Sequence, residues 1–279
     1  MKTYKNLFAL TLVLLLSACA SAPSFKFPVP EATVALHYSK DTVSTWTETA
    51  AGDSFLPDSQ VAVAKSGMGA SAFGGLIGVA IDRSGAKSRA ADTKDEMTQY
   101  FDQILRSNIN AKTISAKFLV SEVADESQAD FTLLPWVRFE TNKQGVSLLD
   151  VRLTARYLGG SKPQTKNYFY ISSANNLPLK AEQGATWFGR KGVFESTKET
   201  GFANLAQVFL DDLQGTLPSP DSSTLTEISW VLPWANNAIM SGLLLTRYDA
   251  ATAVAPKFGN RVFPNTIFLL DNTLLLSNQ

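Results

Sequence analysis

The sequence predicts an α+β fold: an antiparallel β-meander packed with two amphipathic helices, followed by a small β-rich C-terminal part. Three observations predict it. Residues 149–157 alternate strictly, with Leu149, Val151, Leu153, Ala155 and Tyr157 on one side and Asp150, Arg152, Thr154 and Arg156 on the other. That is the period of a strand with one wet face. Residues 92–108 place Met97, Tyr100, Phe101, Ile104 and Leu105 at helical spacing, and a second apolar stripe runs through Phe202, Leu205, Ala206, Phe209, Leu210 and Leu213. Apolar residues make up 45% and charged residues 18% of the chain, which excludes a disordered polymer.

The chain begins with a short positive region, Lys2 and Lys5, and an apolar run over residues 7–16 broken only by Thr11. Ten residues at 1.5 Å each cover about half a bilayer core, too little to span it but the length of a secretory leader. The run ends in Leu16-Ser17-Ala18-Cys19. This motif resembles the lipobox of bacterial lipoproteins. The resemblance implies that Cys19 is diacylated on sulfur and becomes the first residue of the mature protein. Cleavage there removes 18 residues and leaves 261. Lys2 and Lys5 go with the leader, so 23 basic side chains face 25 acidic ones. Cys19 is the sole cysteine, and an exported free thiol without a partner would be a reactive liability. In enterobacterial lipoproteins an Asp after the Cys resembles an inner-membrane retention signal; Ala20 stands there instead, which implies the outer membrane.

Residues 19–30, with Pro23, Pro28 and Pro30, read as a lipidated extended tether. A domain over 31–214 follows. It begins with strands near 31–38 and 43–49, then the helix over 92–108, with Asp92 as cap and Asp95 and Glu96 in its first turn. The meander covers 118–172. Asn142-Lys143-Gln144-Gly145 forms a hairpin loop, and Pro135 places its strand at an edge or a bulge. The second helix opens on the capping-box pair Ser196 and Glu199 and stops at Gly215. Residues 215–223, with Pro218 and Pro220, read as a linker. Residues 224–279 hold alternating strands and a tight hairpin at Asp271-Asn272. They are too few for a core of their own and are expected to pack on the first domain or complete its sheet.

Residues 66–81 place Ser66, Ala70, Gly74 and Gly78 four apart, a stripe of small residues if helical. Ala70, Gly74 and Gly78 either pack closely on this protein's own sheet or supply a self-assembling segment. Residues 67–81, fifteen residues with five glycines, make a poor membrane span and a poor isolated helix.

The sequence offers little chemistry. His37 is the only histidine and, with one cysteine, cannot build a thiolate metal site, so no metal and no cofactor are expected. Asp211-Asp212 and Asp125-Glu126 are adjacent carboxylates whose side chains diverge; both read as solvated surface. Of five tryptophans (Trp46, Trp136, Trp187, Trp230, Trp234), Trp230 and Trp234 flank Pro233 in an apolar patch, read either as core packing or as a partner contact. Equal numbers of acidic and basic residues argue against a nucleic-acid partner.

The expected function is a non-enzymatic envelope lipoprotein. It is held at the outer membrane by its N-terminal lipid, faces the periplasm, and binds another envelope protein or polymer to support assembly, transport or integrity. Two alternatives stand beside it: a self-assembling secretion or pore lipoprotein using residues 67–81, and a carboxylate-dependent periplasmic hydrolase. The helix–meander–helix order is loosely similar to penicillin-binding-protein activators and the curli-secretion pore subunit, a likeness of element order that implies no function.

Overall fold

The computed structural model describes residues 25–41, 53–55, 59–65, 98–141, 146–173, 177–178, 186–189, 192–221, 223–232, 238–259 and 261–276. Cys19, Ala70, Gly74, Gly78, Trp46, Trp234, the 142–145 loop and the strand expected over 43–49 lie outside them. The elements are β1 (Thr33–Tyr38), β2 (Asp53–Phe55), β3 (Val61–Lys65), α1 (Asp102–Lys112), β4 (Leu119–Glu122), β5 (Phe131–Thr141), β6 (Val146–Tyr157) and β7 (Gln164–Ile171). They continue with β8 (Leu177–Pro178), α2 (Phe194–Leu213), β9 (Glu227–Leu232), β10 (Ala238–Arg247), β11 (Ala251–Phe258), β12 (Arg261–Val262) and β13 (Thr266–Asp271). The fold is α+β and mostly sheet.

The thirteen strands of the described residues belong to one sheet, with the path β2-β3-β5-β6-β7-β13-β11-β10-β9. The expected meander is corrected here. β5, β6 and β7 pair antiparallel in sequence order, but β1 with β4, β1 with β5, β3 with β5 and β7 with β13 are parallel. The sheet is therefore mixed. β13 joins the C-terminal strands directly to β7, so hydrogen bonding runs unbroken from residues before the 215–223 segment to residues after it.

Pro135 is not at an edge. It faces Leu153 on β6 in an unbroken register. On its other side β1 covers residues 131–133 and β3 covers residues 137–141. Leu133 O accepts the Ser39 N–H, and Val137 N–H donates to Gln60 O. Pro135 thus occupies the seam between two neighbouring strands, where its missing N–H leaves no ladder bond unmade. Buried Gln60 fills the seam: its Nε2 donates to Ser39 O at 2.8 Å and its Oε1 accepts the Phe101 N–H at 2.7 Å.

That contact explains why the first helix starts later than expected. Residues 98–101 are not helical. The Gln60 N–H donates to Gln99 O, the Gln99 N–H donates to Ser59 Oγ, and the Phe101 N–H is held by Gln60. Asp102 is the acid in the first turn of α1; Asp92, Asp95 and Glu96, expected as cap and first turn, lie outside the described residues. The capping box of α2 is also corrected. Val193 is the N-cap without a side-chain bond, and Ser196 lies in the first turn, its hydroxyl donating to Val193 O.

The two helices of the described residues, α1 and α2, cover one face of the sheet. Leu105 and Ile109 of α1 and Phe202, Leu205, Phe209 and Leu213 of α2 share a core with Phe131, Leu133, Val137, Leu149, Val151, Leu153 and Tyr168. Gly201 lets α2 lie close on β6: a Cβ there would sit 2.7 Å from the Val151 side chain. Beyond β13 the sheet curls. Trp230 on β9 bridges to Leu275, and the Leu276 N–H donates to Ser229 O, so the chain after β13 returns to the outermost strand. The hairpin expected at Asp271-Asn272 is instead a 3₁₀ turn, with the Asp271 carboxylate accepting the Thr273 N–H. Ile228, Trp230, Val254, Leu270 and Leu274 fill the interior so enclosed.

Candidate functional site

Among the described residues, two charged groupings built on the central strands lie one on each face of the sheet. The first is at the C-terminal end of α2. Asp211 and Asp212 sit in the last turn, where the helix dipole disfavours negative charge. Each is held by donors from other elements. Lys166 Nζ on β7 donates to both Asp212 oxygens, at 3.0 and 2.8 Å, and Tyr168 OH donates to Oδ2 at 2.6 Å. Tyr248 OH donates to Asp211 Oδ2 at 2.8 Å and Gln207 Nε2 to Oδ1 at 3.1 Å. Burial, then the charge and accepting bond of Asp212, push the Tyr168 phenol well above its ordinary value. Burial and Asp211 do the same to Tyr248. Both phenols therefore stay protonated and donating.

The N-terminal segment closes over this group. Phe27 is buried, with its ring 4.7 Å from Lys166 Nζ and edge-on to Phe131 at 4.8 Å. Phe25 stacks on Tyr157 at 6.0 Å, and its N–H donates to Asn265 Oδ1 at 3.1 Å. Val29 lies against Gly215, whose φ of 69° ends α2. Residues 25–30, expected as free tether, are thus packed at Phe25 and Phe27.

The second grouping crosses the opposite face. Trp136, Arg152, Phe169 and Phe268 are direct cross-strand neighbours on β5, β6, β7 and β13. The Arg152 guanidinium lies 4.7 Å from the Trp136 ring and 4.2 Å from the Phe169 ring. Phe169 meets Phe268 at 5.4 Å, and Phe268 meets Trp230 at 6.2 Å. Arg152 donates to Asp150 Oδ2 at 2.7 Å, with Arg138 at 3.6 Å from the same oxygen. The Trp136 indole N–H donates to Thr154 Oγ1, which donates to Asn167 Oδ1. A stacked, ion-paired guanidinium of this kind works as a packing plate between aromatic rings.

The sequence-derived candidates separate accordingly. Trp230 is fully buried among Ile228, Val254 and Phe268, so its ring offers nothing to a partner; the patch reading is corrected for that residue. Trp136 and Trp187 are core residues too, the latter donating to Ser147 O. His37 is half-buried on β1, with Nδ1 3.2 Å from Val123 O. Asp125 is exposed and caps a 3₁₀ turn through the Ser127 N–H, which holds its carboxyl below the usual range. Asp211 and Asp212 are not solvated surface but tied down. Sequence reasoning missed Lys166, Tyr168, Tyr248 and Phe27. A signal existed for Lys166: the alternation that puts Tyr168 and Tyr170 inward puts Lys166 inward as well, and a core-facing ammonium needs a carboxylate. Among the described residues no three His, Cys, Asp or Glu side chains converge as a metal site, and no helix is long and apolar enough to cross a membrane.

No protein-family profile matches the chain, and neither do curated proteins or solved structures.

Proposed function

We propose that the protein is a non-enzymatic envelope lipoprotein, anchored at the outer membrane through Cys19 and binding another envelope component from the periplasmic side. The observation that carries this reading is the run of residues 7–16 ending in Leu16-Ser17-Ala18-Cys19, together with the absence of any second cysteine in the sequence. Two or three acyl chains, at about 0.8 kcal/mol per buried CH₂, anchor a protein durably. The packing of Phe25 and Phe27 supports it: the chain is fastened to the globular body a few residues after the anchor position. The engagement of Asp211, Asp212 and Lys166 by partners on this same chain supports reading the α2 terminus as structural rather than as an acid–base pair.

Membrane fractionation tests the reading. Wild-type protein is expected with the outer-membrane fraction, and Cys19→Ala in the soluble periplasmic fraction. Wild-type protein recovered free in the periplasm contradicts the anchor. Profiling the full chain against peptide, ester and glycan substrates tests the non-enzymatic part: turnover abolished by Asp150→Asn or Asp212→Asn would contradict it.

A further inference from the structure

The fastening of residues 25–27 determines which end of the body meets the membrane. From Cys19 to Phe25 is six residues, a reach of at most about 20 Å fully extended. Phe25 sits at one end of the sheet, against Tyr157 and Asn265. Tyr157 pairs with Phe131 on one side and Gln164 on the other, so β5 begins, β6 ends and β7 begins at this level. β13 begins here too, with Thr266 opposite Asn167. The other end is marked by Asp150, Ile171, Leu270 and Thr252, successive neighbours across four strands, with exposed Ser173 two residues past Ile171. Asp150 lies seven residues from Tyr157 along β6, about 23 Å. That exceeds the full reach of the tether.

The near end also has surface suited to a bilayer. Phe263 is 39% exposed, two residues before the Asn265 that holds Phe25, and the Arg261 guanidinium lies 5.5 Å from its ring. Lys26, beside Phe25, and Lys162, in the β6–β7 turn, are exposed. Among the described residues the acids near this end are Glu31, exposed, Asp130, whose Oδ2 accepts the Ala35 N–H, and Asp211 and Asp212, whose oxygens are taken up by Tyr248, Gln207, Lys166 and Tyr168. An aromatic ring beside cations is the composition that settles at the headgroup level, with the ring at the acyl boundary and the charges on phosphate.

Building on the lipid-anchor reading above, we infer that the β6–β7 turn and the 261–265 loop form a membrane-facing surface. Phe263, Arg261, Lys162 and Lys26 rest on anionic phospholipid headgroups, and the Ser173 end points away. The acyl chains supply the affinity; this surface supplies orientation.

The test uses full-length lipidated protein in phosphatidylethanolamine–phosphatidylglycerol vesicles. An environment-sensitive fluorophore is placed, one at a time, at Lys162→Cys, Phe263→Cys and Ser173→Cys, and quenched by headgroup-nitroxide lipid. Quenching at 162 and 263 is expected to exceed that at 173 at least threefold. The contrast is expected to shrink in the 162-labelled protein also carrying Arg261→Ser and Phe263→Ser. Equal or reversed quenching, in protein that floats with the vesicles, overturns the surface and leaves the anchor intact. Failure of wild-type protein to float, with an unmodified Cys19 by mass, overturns both. The label at Lys162 keeps the test valid if substitution of Phe263 disturbs the fold.

Discussion

The two halves of the sheet solve the same problem in different ways. β5, β6 and β7 bury one face beneath α1 and α2. β10, β11 and β13 also set Leu245, Ala251, Ala253, Ala255, Ile267 and Leu269 into the same core, and with β9 they bury their other face by curling until β9 meets Leu275, around Trp230. Both halves use period-two strands; what differs is that the second buries both faces. Its second core has no helix over it among the described residues, so it depends on closure, and closure depends on the residue at its centre. The halves are joined by the parallel β7–β13 pair and by the stacked row from Trp136 through Arg152 and Phe169 to Phe268.

The largest expected effect breaks the curled half. Trp230→Ala removes a fully buried indole and should cost about 3–5 kcal/mol. Hydrogen exchange should show protection lost in β9, β10 and β11 before β5 and β6. Simultaneous loss in both halves would mean that they do not differ in the way described. On the helical side, Lys166→Met removes one partner of a buried ion pair and is expected to cost about 3 kcal/mol in denaturant unfolding. A change under about 1 kcal/mol would show that Asp212 is solvated when the lysine is gone. Smaller still is Gly201→Ala. Helix propensity alone favours Ala by about 1 kcal/mol. The 2.7 Å approach to Val151 predicts net destabilisation of about 1 kcal/mol, relieved when Val151→Ala is added. Stabilisation by the single change would place α2 further from β6.

The alkaline limit of stability is a subtler check on the same side. Tyr168 and Tyr248 have phenols raised by burial and by their aspartates. In the unfolded chain a tyrosine ionises near pH 10, whereas these two hold their protons to higher pH. Their contribution is full below about pH 10 and falls as pH rises through the folded values, because the unfolded state then binds fewer protons. Combining Tyr168→Phe with Tyr248→Phe should flatten the fall in stability above pH 10. An unchanged slope would assign it to other groups.

Much of this was legible in the residues themselves. The alternation across 149–157 is β6, and the apolar stripe from Phe202 to Leu213 is the buried side of α2. Legibility ended where a partner distant in sequence decided the outcome. Residues 98–101 carry helical spacing, but Ser59 and Gln60, some forty positions earlier, hold backbone groups of Gln99 and Phe101. Pro135 reads as an edge residue because no local pattern reveals that β1 and β3 divide one flank of β5 between them. Trp230 looks exposed beside Pro233 until Leu275 closes over its strand. Asp211 and Asp212 look like surface until Lys166 and two tyrosines arrive from β7 and the end of β10. The candidate anchor is the opposite case: Cys19 and its three preceding residues are legible entirely from local sequence.

Metabolic labelling with palmitate tests that anchor most directly. Wild-type protein should carry label and Cys19→Ala none, with the N-terminal fragment of the mature protein beginning at an acylated Cys19. Label that persists in Cys19→Ala, or a mature chain that starts with an unmodified thiol, would contradict the account.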